Sequence, residues 1–153
     1  MKIVIRHAND SDVNWIVDQL KEFSKFQGTK FSLFSTPEFA TAGIKNMIET
    51  QFARVAHGLI DGTIERIGFI SGILMPHPLN PAIRTFVEQF WWVEPKYRNT
   101  RAGLMLLNEF MTFGENNADW ILFGLENNSP VNDKTLARRG FMVKEVSYLK
   151  EVV

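Results

Sequence analysis

The chain contains no cysteine. That excludes a disulfide framework, a thiolate nucleophile and a cysteine-based zinc site. It has no excess of charge either, because 17 lysines and arginines balance 17 aspartates and glutamates. Nothing global therefore draws it to nucleic acid or to an anionic membrane, and neither is expected as a partner. No stretch approaches the roughly 18 uncharged apolar residues of a membrane span. The start, Met1-Lys2-Ile3-Val4-Ile5-Arg6, lacks the continuous apolar region of a signal peptide, so a cytoplasmic location is expected. The three histidines form no His-x-x-x-His spacing and no acidic cluster stands in, so no metal is expected. Tyrosine is scarce, with only Tyr97 and Tyr148. What is present is 45% hydrophobic and 12% aromatic residues in a chain of 153, which suits one domain with a real core and argues against disorder.

Hydrophobic periodicity orders that domain. Ile3 and Ile5 alternate with Val4 and Arg6 in a short first strand. Asn9, Asp10, Ser11 and Asp12 then offer capping oxygens to a helix with Val13, Ile16, Val17, Leu20 and Phe23 on one face. Residues 24–36 read as a loop carrying Phe26, Phe31, Leu33 and Phe34. Pro37 suits the first position of a second helix, which displays Ile44, Met47 and Phe52. Residues 54–60 and 67–75 predict two strands joined around Asp61-Gly62. The run from Met75 to Pro81 predicts a proline-stiffened loop. Trp120 to Leu125 predicts a further strand, 131–139 a short helix closed by Gly140, and 141–153 one or two last strands. The order is α/β (α+β) with a mixed sheet in a single domain over 1–153.

Between these segments lies the stretch with the most chemistry in it. Glu88 to Val93 is an aromatic, β-branched strand that Pro95 stops, since proline has no N–H for a sheet ladder. A basic loop from Arg98 to Gly103 follows. Apolar residues then recur at Leu104, Leu107, Phe110 and Met111, the spacing of an amphipathic helix. Free N–H groups of a first helical turn, together with the helix dipole, favour an anion in such a loop. Many strand-to-helix turns bind nothing, so the loop alone leaves both readings open.

The run Val93-x-Pro95-x-Tyr97-Arg98-x-x-x-x-Gly103-Leu104-x-Leu106-Leu107 resembles the acyl-CoA-binding motif of the GNAT superfamily of N-acetyltransferases. It departs from that motif at Asn99 and Arg101, where glycine is common. Arg139-Gly140-Phe141 resembles the family's late Gly-Phe pair. The resemblance covers nearly the whole chain and implies a mixed, mostly antiparallel central sheet flanked by helices. It further implies acetyl-CoA as cofactor and direct transfer of its acetyl group to a primary amine on a small molecule, peptide or protein. The cofactor would then lie along Trp91, Trp92 and Val93 and on Arg98, Asn99, Thr100, Arg101, Ala102, Gly103 and Leu104, with Asn128 nearby. Main-chain N–H near Trp92 or Val93 would polarise the thioester.

Glu88 is the candidate general base, because an amine with a pKa near ~10 must lose a proton before it attacks. A solvent-facing glutamate in a strand is the competing reading. The tyrosine that usually serves as general acid is replaced by Leu136, which leaves Tyr148 or water. Phe31 and Phe34 either border the acceptor pocket or tuck under their own loop. Arg101 either adds a cation to the phosphate site or is an ordinary surface arginine. His57 reads as a core histidine beside Val55 and Leu59. Leu136 and Arg101 also support an alternative, a catalytically weak or inactive protein of the same fold that acts through a protein partner. Exposed strand edges of such a fold invite a homodimer.

Overall fold

The computed structural model describes residues 1–26, 36–126 and 128–152, and the statements below concern those residues. Lys2–His7 forms strand β1. The polar run after it closes a reciprocal cap: the Asn9 side chain accepts from the Ser11 N–H, and the Asp12 carboxylate accepts from the Asn9 N–H. Helix α1, Val13–Phe26, starts there and buries Val13, Ile16 and Val17, the face that the periodicity predicts. Thr36 caps helix α2, Pro37–Thr50, with Pro37 in the first turn, and α2 buries Ile44 and Met47.

Three antiparallel strands follow, β2 (Phe52–Ile60), β3 (Thr63–His77) and β4 (Asn80–Val93). Asp61 at φ 48° and Gly62 at φ 80° form the β2–β3 turn, where a two-residue hairpin needs left-handed backbone. Helix α3 spans Ala102–Asn117, strand β5 Trp120–Leu122 and helix α4 Asp133–Ala137. The sheet order is β1-β2-β3-β4-β5, antiparallel except for the parallel β4–β5 pair. This is the expected α/β architecture with a mixed, mostly antiparallel sheet.

The sheet has a core on each face. Trp92, Phe69 and Val55 pack with residues of α1 and α2. Phe86, Ile67 and Ile70 pack with Leu106 and Phe110 of α3, the Phe86 and Phe110 rings stacking at 4.3 Å. Helix and sheet approach closely because Gly114 has no side chain: a Cβ there would stand 2.6 Å from Ile121 Cδ1.

Three expectations are corrected. The proline run from Met75 to Pro81 is not a loop; Pro76 pairs with Arg84 one residue before the end of β3, Pro81 is the second residue of β4, and only Pro78 and Leu79 lie between the strands. Register is broken between Pro76 and His77, so the prolines stand where the ladder is already irregular. Residues 141–152 form no strand, and the strand expected over 120–125 is cut to three residues. Local β propensity is present there, but it makes a strand only where a neighbouring edge pairs with it.

Candidate active site

The parallel pairing of β4 with β5 lasts only from Thr85 to Val87, opposite Trp120 to Leu122. Beyond Val87 the two strands part. On that side of β4 the main chain from Glu88 to Val93 has no strand opposite it among the described residues. Glu88 therefore stands where the sheet opens.

A β-bulge sits at the same place. Ser71 pairs with Phe90 and Gly72 with Glu88, which leaves Gln89 as the extra residue. The bulge reverses the in-and-out alternation of β4. Before it, Phe86 packs with α3; after it, Trp91 and Val93 do so, while Phe90 and Trp92 face α1. Gln89 itself is exposed.

Glu88 is partly buried, and burial pushes its carboxyl up to about 7. The backbone N–H of Gly124 donates to the carboxylate and opposes that rise, while the nearby charge of Glu126 adds to it. A carboxyl poised near neutrality can take a proton and give it up again at working pH. Gly124 is exposed, and a Cβ built on it would lie 3.8 Å from Glu88 Oε2, so the carboxyl sits directly against this bare backbone.

The basic loop ends at α3 as predicted. The first intrahelical bond runs from the Met105 N–H to the Arg101 carbonyl at 3.0 Å. The Thr100 hydroxyl accepts from the Ala102 N–H at 3.3 Å and donates to the Tyr97 carbonyl at 2.7 Å. The N–H groups of Gly103 and Leu104 precede the helical ladder, the position at which a helix N-terminus can take an anion. Arg101 is exposed at the N-cap with φ −79°, an ordinary right-handed conformation. Positive φ occurs only at Asp61, Gly62 and Gly140 among the described residues, so neither Arg101 nor Asn99 strains the backbone in place of glycine. Gly103 lies beside the opening: its Cβ would meet Trp91 Cζ2 and Val93 Cγ2, both at 3.6 Å.

Arg98 is placed differently from the expectation. Its Nε donates to the Val93 carbonyl at 3.0 Å, and its guanidinium lies over the rings of Trp92 and Phe26, at 4.6 and 5.1 Å. It braces the end of β4 and contributes its charge from a partly buried position. Trp92 is locked further by its Nε1, which donates to Gln19 Oε1 at 2.8 Å. Trp91 is the reverse case. Its ring meets Phe123 at 5.3 Å, yet its buried Nε1 has no hydrogen-bond partner among the described residues. Such an orphan donor is costly in a finished core and fits a site that completes itself with a ligand.

Other candidates are not brought together with Glu88. Tyr148 is 92% exposed in the strandless tail, and the Tyr97 hydroxyl is committed to Glu65 Oε2 at 2.7 Å. Asn128 donates from Nδ2 to the Phe26 carbonyl and ties the segment after β5 to the end of α1. Phe31 and Phe34 lie outside the described residues. His57 is half-buried and has a polar partner, the satisfied histidine that its place in the strand predicts. Its Nε2 lies 2.7 Å from an Arg6 guanidinium nitrogen, and burial, then Arg6, holds its pKa below the usual histidine value. No group of three metal-ligating side chains and no helix long and apolar enough to cross a membrane occurs among the described residues.

Two shallow clefts lie on the surface around α3 and α4. One of about 380 Å³ is lined by Met1, Ile3, Thr100, Arg101 and Met105 on the β1 side of α3. Another of about 470 Å³ is lined by Leu125, Glu126, Asn132, Asp133 and Lys134. Only the second adjoins the Glu88 region, through Glu126. Sequence reasoning missed the Gly124 donor, the Gln89 bulge and Glu126, because a main-chain donor and a register shift leave no residue-type signal.

No protein-family model matches the chain, and no curated protein matches it in sequence. Solved structures do match in shape. A predicted acetyltransferase from Clostridium acetobutylicum, solved with acetyl-CoA, superposes with a TM-score of 0.73 at 15% identity, covering 99% of this chain and 96% of that one. Glucosamine-6-phosphate N-acetyltransferase from Arabidopsis thaliana gives 0.68 at 14% identity, over 99% of both chains. Ribosomal-protein-alanine N-acetyltransferase from Brucella melitensis gives 0.71 at 13% identity, over 100% of this chain and 99% of that one. At such identities the likeness carries the fold. The chain has the fold of the GNAT acetyltransferases.

Proposed function

We propose that the protein is an acetyl-CoA-dependent N-acetyltransferase that transfers the acetyl group directly to a primary amine. The observation that carries this reading is Glu88, a carboxyl near neutrality held by the Gly124 N–H at the point where β4 and β5 separate. Acetyl-CoA supplies an activated thioester, whose thiol leaves readily at a pKa near ~8.5. The Gly103 and Leu104 N–H groups hold its diphosphate, with Arg101 adding charge at the rim. Asn99, Thr100 and Ala102 shape that loop. The unpaired edge of β4 around Trp92 and Val93 supplies an N–H to the developing oxyanion. Glu88 removes the proton from the ammonium of the acceptor, directly or through one water. With no cysteine in the chain, transfer needs no covalent acyl-enzyme through a thiol. The easy departure of the thiolate makes a dedicated side-chain acid unnecessary, so no role falls to Tyr148.

The acceptor is an amine on a small molecule or on a peptide or protein. Two of the three structures similar in shape are named for one acceptor of each kind. A second reading is favoured by Leu136 and by the exposure of Tyr148: a protein that binds the cofactor and docks to a partner without fast turnover.

Titration of melting temperature with acetyl-CoA, CoA and ATP, followed by thiol release in the presence of amines, tests both. Ligand at ~100 times its Kd adds about 2.7 kcal/mol of stability. A shift with both coenzyme forms but not with ATP, plus amine-dependent thiol release, is the expected result. A shift without release selects the second reading, and no shift with either coenzyme form removes both.

A further inference from the structure

One polar residue stands in an aromatic stripe of α1. Trp15, Gln19 and Phe23 follow one another at four-residue spacing, on the face turned to the sheet. The Trp15 ring meets Phe69 at 6.0 Å and the Phe23 ring meets Trp92 at 5.8 Å. Gln19 lies between them, half-buried, where packing alone asks for an apolar side chain. Both ends of its amide are used. Its Oε1 accepts from Trp92 Nε1 at 2.8 Å, and its Nε2 donates to Glu94 Oε1 at 3.4 Å. An indole N–H only donates, so the amide oxygen faces Trp92 and the amide nitrogen faces Glu94. Trp15 Nε1 reaches the same Glu94 oxygen at 3.3 Å, and Lys96 Nζ stands 3.6 Å from the other.

Gln19 therefore grips the two neighbours of Val93. The ladder sets which way the Val93 main chain points. The Glu94 N–H donates to the Ile67 carbonyl at 3.0 Å, so Trp92 and Glu94 turn their main-chain groups toward β3. Val93 turns its own the other way, to the side with no strand opposite it among the described residues. Its carbonyl is taken there by Arg98 Nε at 3.0 Å, and its N–H is left facing the opening. We propose that Gln19 is a positioning residue for acetyl transfer: by tying Trp92 and Glu94 to α1, it holds the Val93 N–H where the thioester oxygen gains charge. This inference rests on the proposed function and names the residue that sets its oxyanion donor. Gln19 touches no reacting atom. Its effect comes from stiffening a strand end that has a neighbour on one side only, because a donor works when locked neighbours keep it within about 0.5 Å of its productive place.

The test compares the full chain with Gln19→Met and with the double variant Gln19→Glu, Glu94→Gln. Methionine keeps the length of the side chain but makes neither bond. The double variant exchanges amide and carboxylate, so the Trp92 indole still finds an acceptor and the bridge to residue 94 survives. Amine-dependent thiol release gives kcat and KM, and amide NMR spectra report Val93, Gly103 and Leu104 with and without acetyl-CoA. Gln19→Met should lower kcat by about tenfold, short of the roughly 10²–10³ that an oxyanion donor lost outright costs. KM for both substrates should stay within about twofold, the pattern of an interaction made only in the transition state. The double variant should recover most of the loss. Acetyl-CoA should shift the Val93 amide less in Gln19→Met than in the parent, while shifting Gly103 and Leu104 equally in both; a loss of stability alone would not single out Val93. An unchanged kcat, or a Val93 amide that responds as in the parent, overturns the role of Gln19 and leaves acetyl transfer standing. A double variant no faster than Gln19→Met overturns it too. A parent that releases no thiol and whose Gly103 and Leu104 amides ignore acetyl-CoA removes the proposed function and this inference together.

Discussion

Replacing Glu88 with glutamine should stabilise the protein while disabling it, and pH separates the two effects. The carboxyl stands near 7 in the folded chain against 4.5 as its ordinary value, chiefly because burial penalises its charge. Below 4.5 both folded and unfolded chains hold the proton, and Glu88 contributes no pH dependence. Between 4.5 and 7 the unfolded chain releases the proton while the folded chain keeps it, so stability falls as pH rises. Above that window the full cost is present, at most about 3 kcal/mol at 1.36 kcal/mol per pH unit. Glutamine matches the shape of the neutral acid, can still accept from the Gly124 N–H, and does not titrate. Glu88→Gln and the parent should therefore melt together at acid pH. Above neutrality the variant should melt higher by roughly 5–10 °C, the shift expected for a few kcal/mol in a domain of this size. Under the proposed function, kcat should fall by about 10²–10⁴, the usual worth of a general base, with acetyl-CoA affinity preserved. The parent's kcat/KM should climb with pH and level off above about 7. Parallel melting curves at all pH values would refute the burial argument. An unchanged kcat would refute the base assignment even if the stability result held.

Arg101→Gly should weaken CoA binding by about 2–5-fold, the loss of one cation at a helix N-terminus, as read by isothermal titration; a gain in affinity would mean that arginine obstructs the loop. Gly114→Ala should lower stability by about 1–3 kcal/mol through overpacking against Ile121 and Phe86, although alanine ordinarily strengthens a helix. Urea unfolding measures it, and a stabilised variant would show that α3 and β5 can separate at no cost. Asp12 is fully buried, and burial alone would raise its pKa, yet hydrogen bonds from Arg6, Arg66 and the Asn9 N–H together bring it down to about 2. Its contribution is present above the ordinary value of 3.8 and disappears as pH falls toward 2. Asp12→Asn should cost about 3 kcal/mol at neutral pH, since two arginines lose their charged partner, and the loss should shrink in acid.

Much of the architecture could be read along the chain because its signals are local. Asn9 and Asp12 form the cap that their residue types announce, Pro37 opens α2, Pro95 ends β4, and Asp61-Gly62 makes its turn. The loop from Arg98 to Gly103 could be placed at the mouth of α3 for the same reason. Where two distant segments had to meet, local signals failed. The prolines at 76 and 81 belong to strands because each hairpin arm is held by its partner's register. Residues 141–152 have the composition of a strand yet pair with no strand among the described residues. Arg98 carries the charge of an anion ligand, but Val93, Trp92 and Phe26 surround it and set its main contacts.

Sequence by itself determined the element order, the basic loop before α3 and the identity of Glu88 as a carboxyl in an apolar strand. These follow from the period of apolar residues, from capping and from residue type, all of which act within a few positions. Only the tertiary structure decided that β4 bulges at Gln89, that β5 parts from it after Val87, and that Gly124 and Glu126 come up against Glu88. A glutamate carboxyl is brought near neutrality through burial and through neighbours far away in the chain. Those terms depend on distance in space, and separation in sequence does not report it.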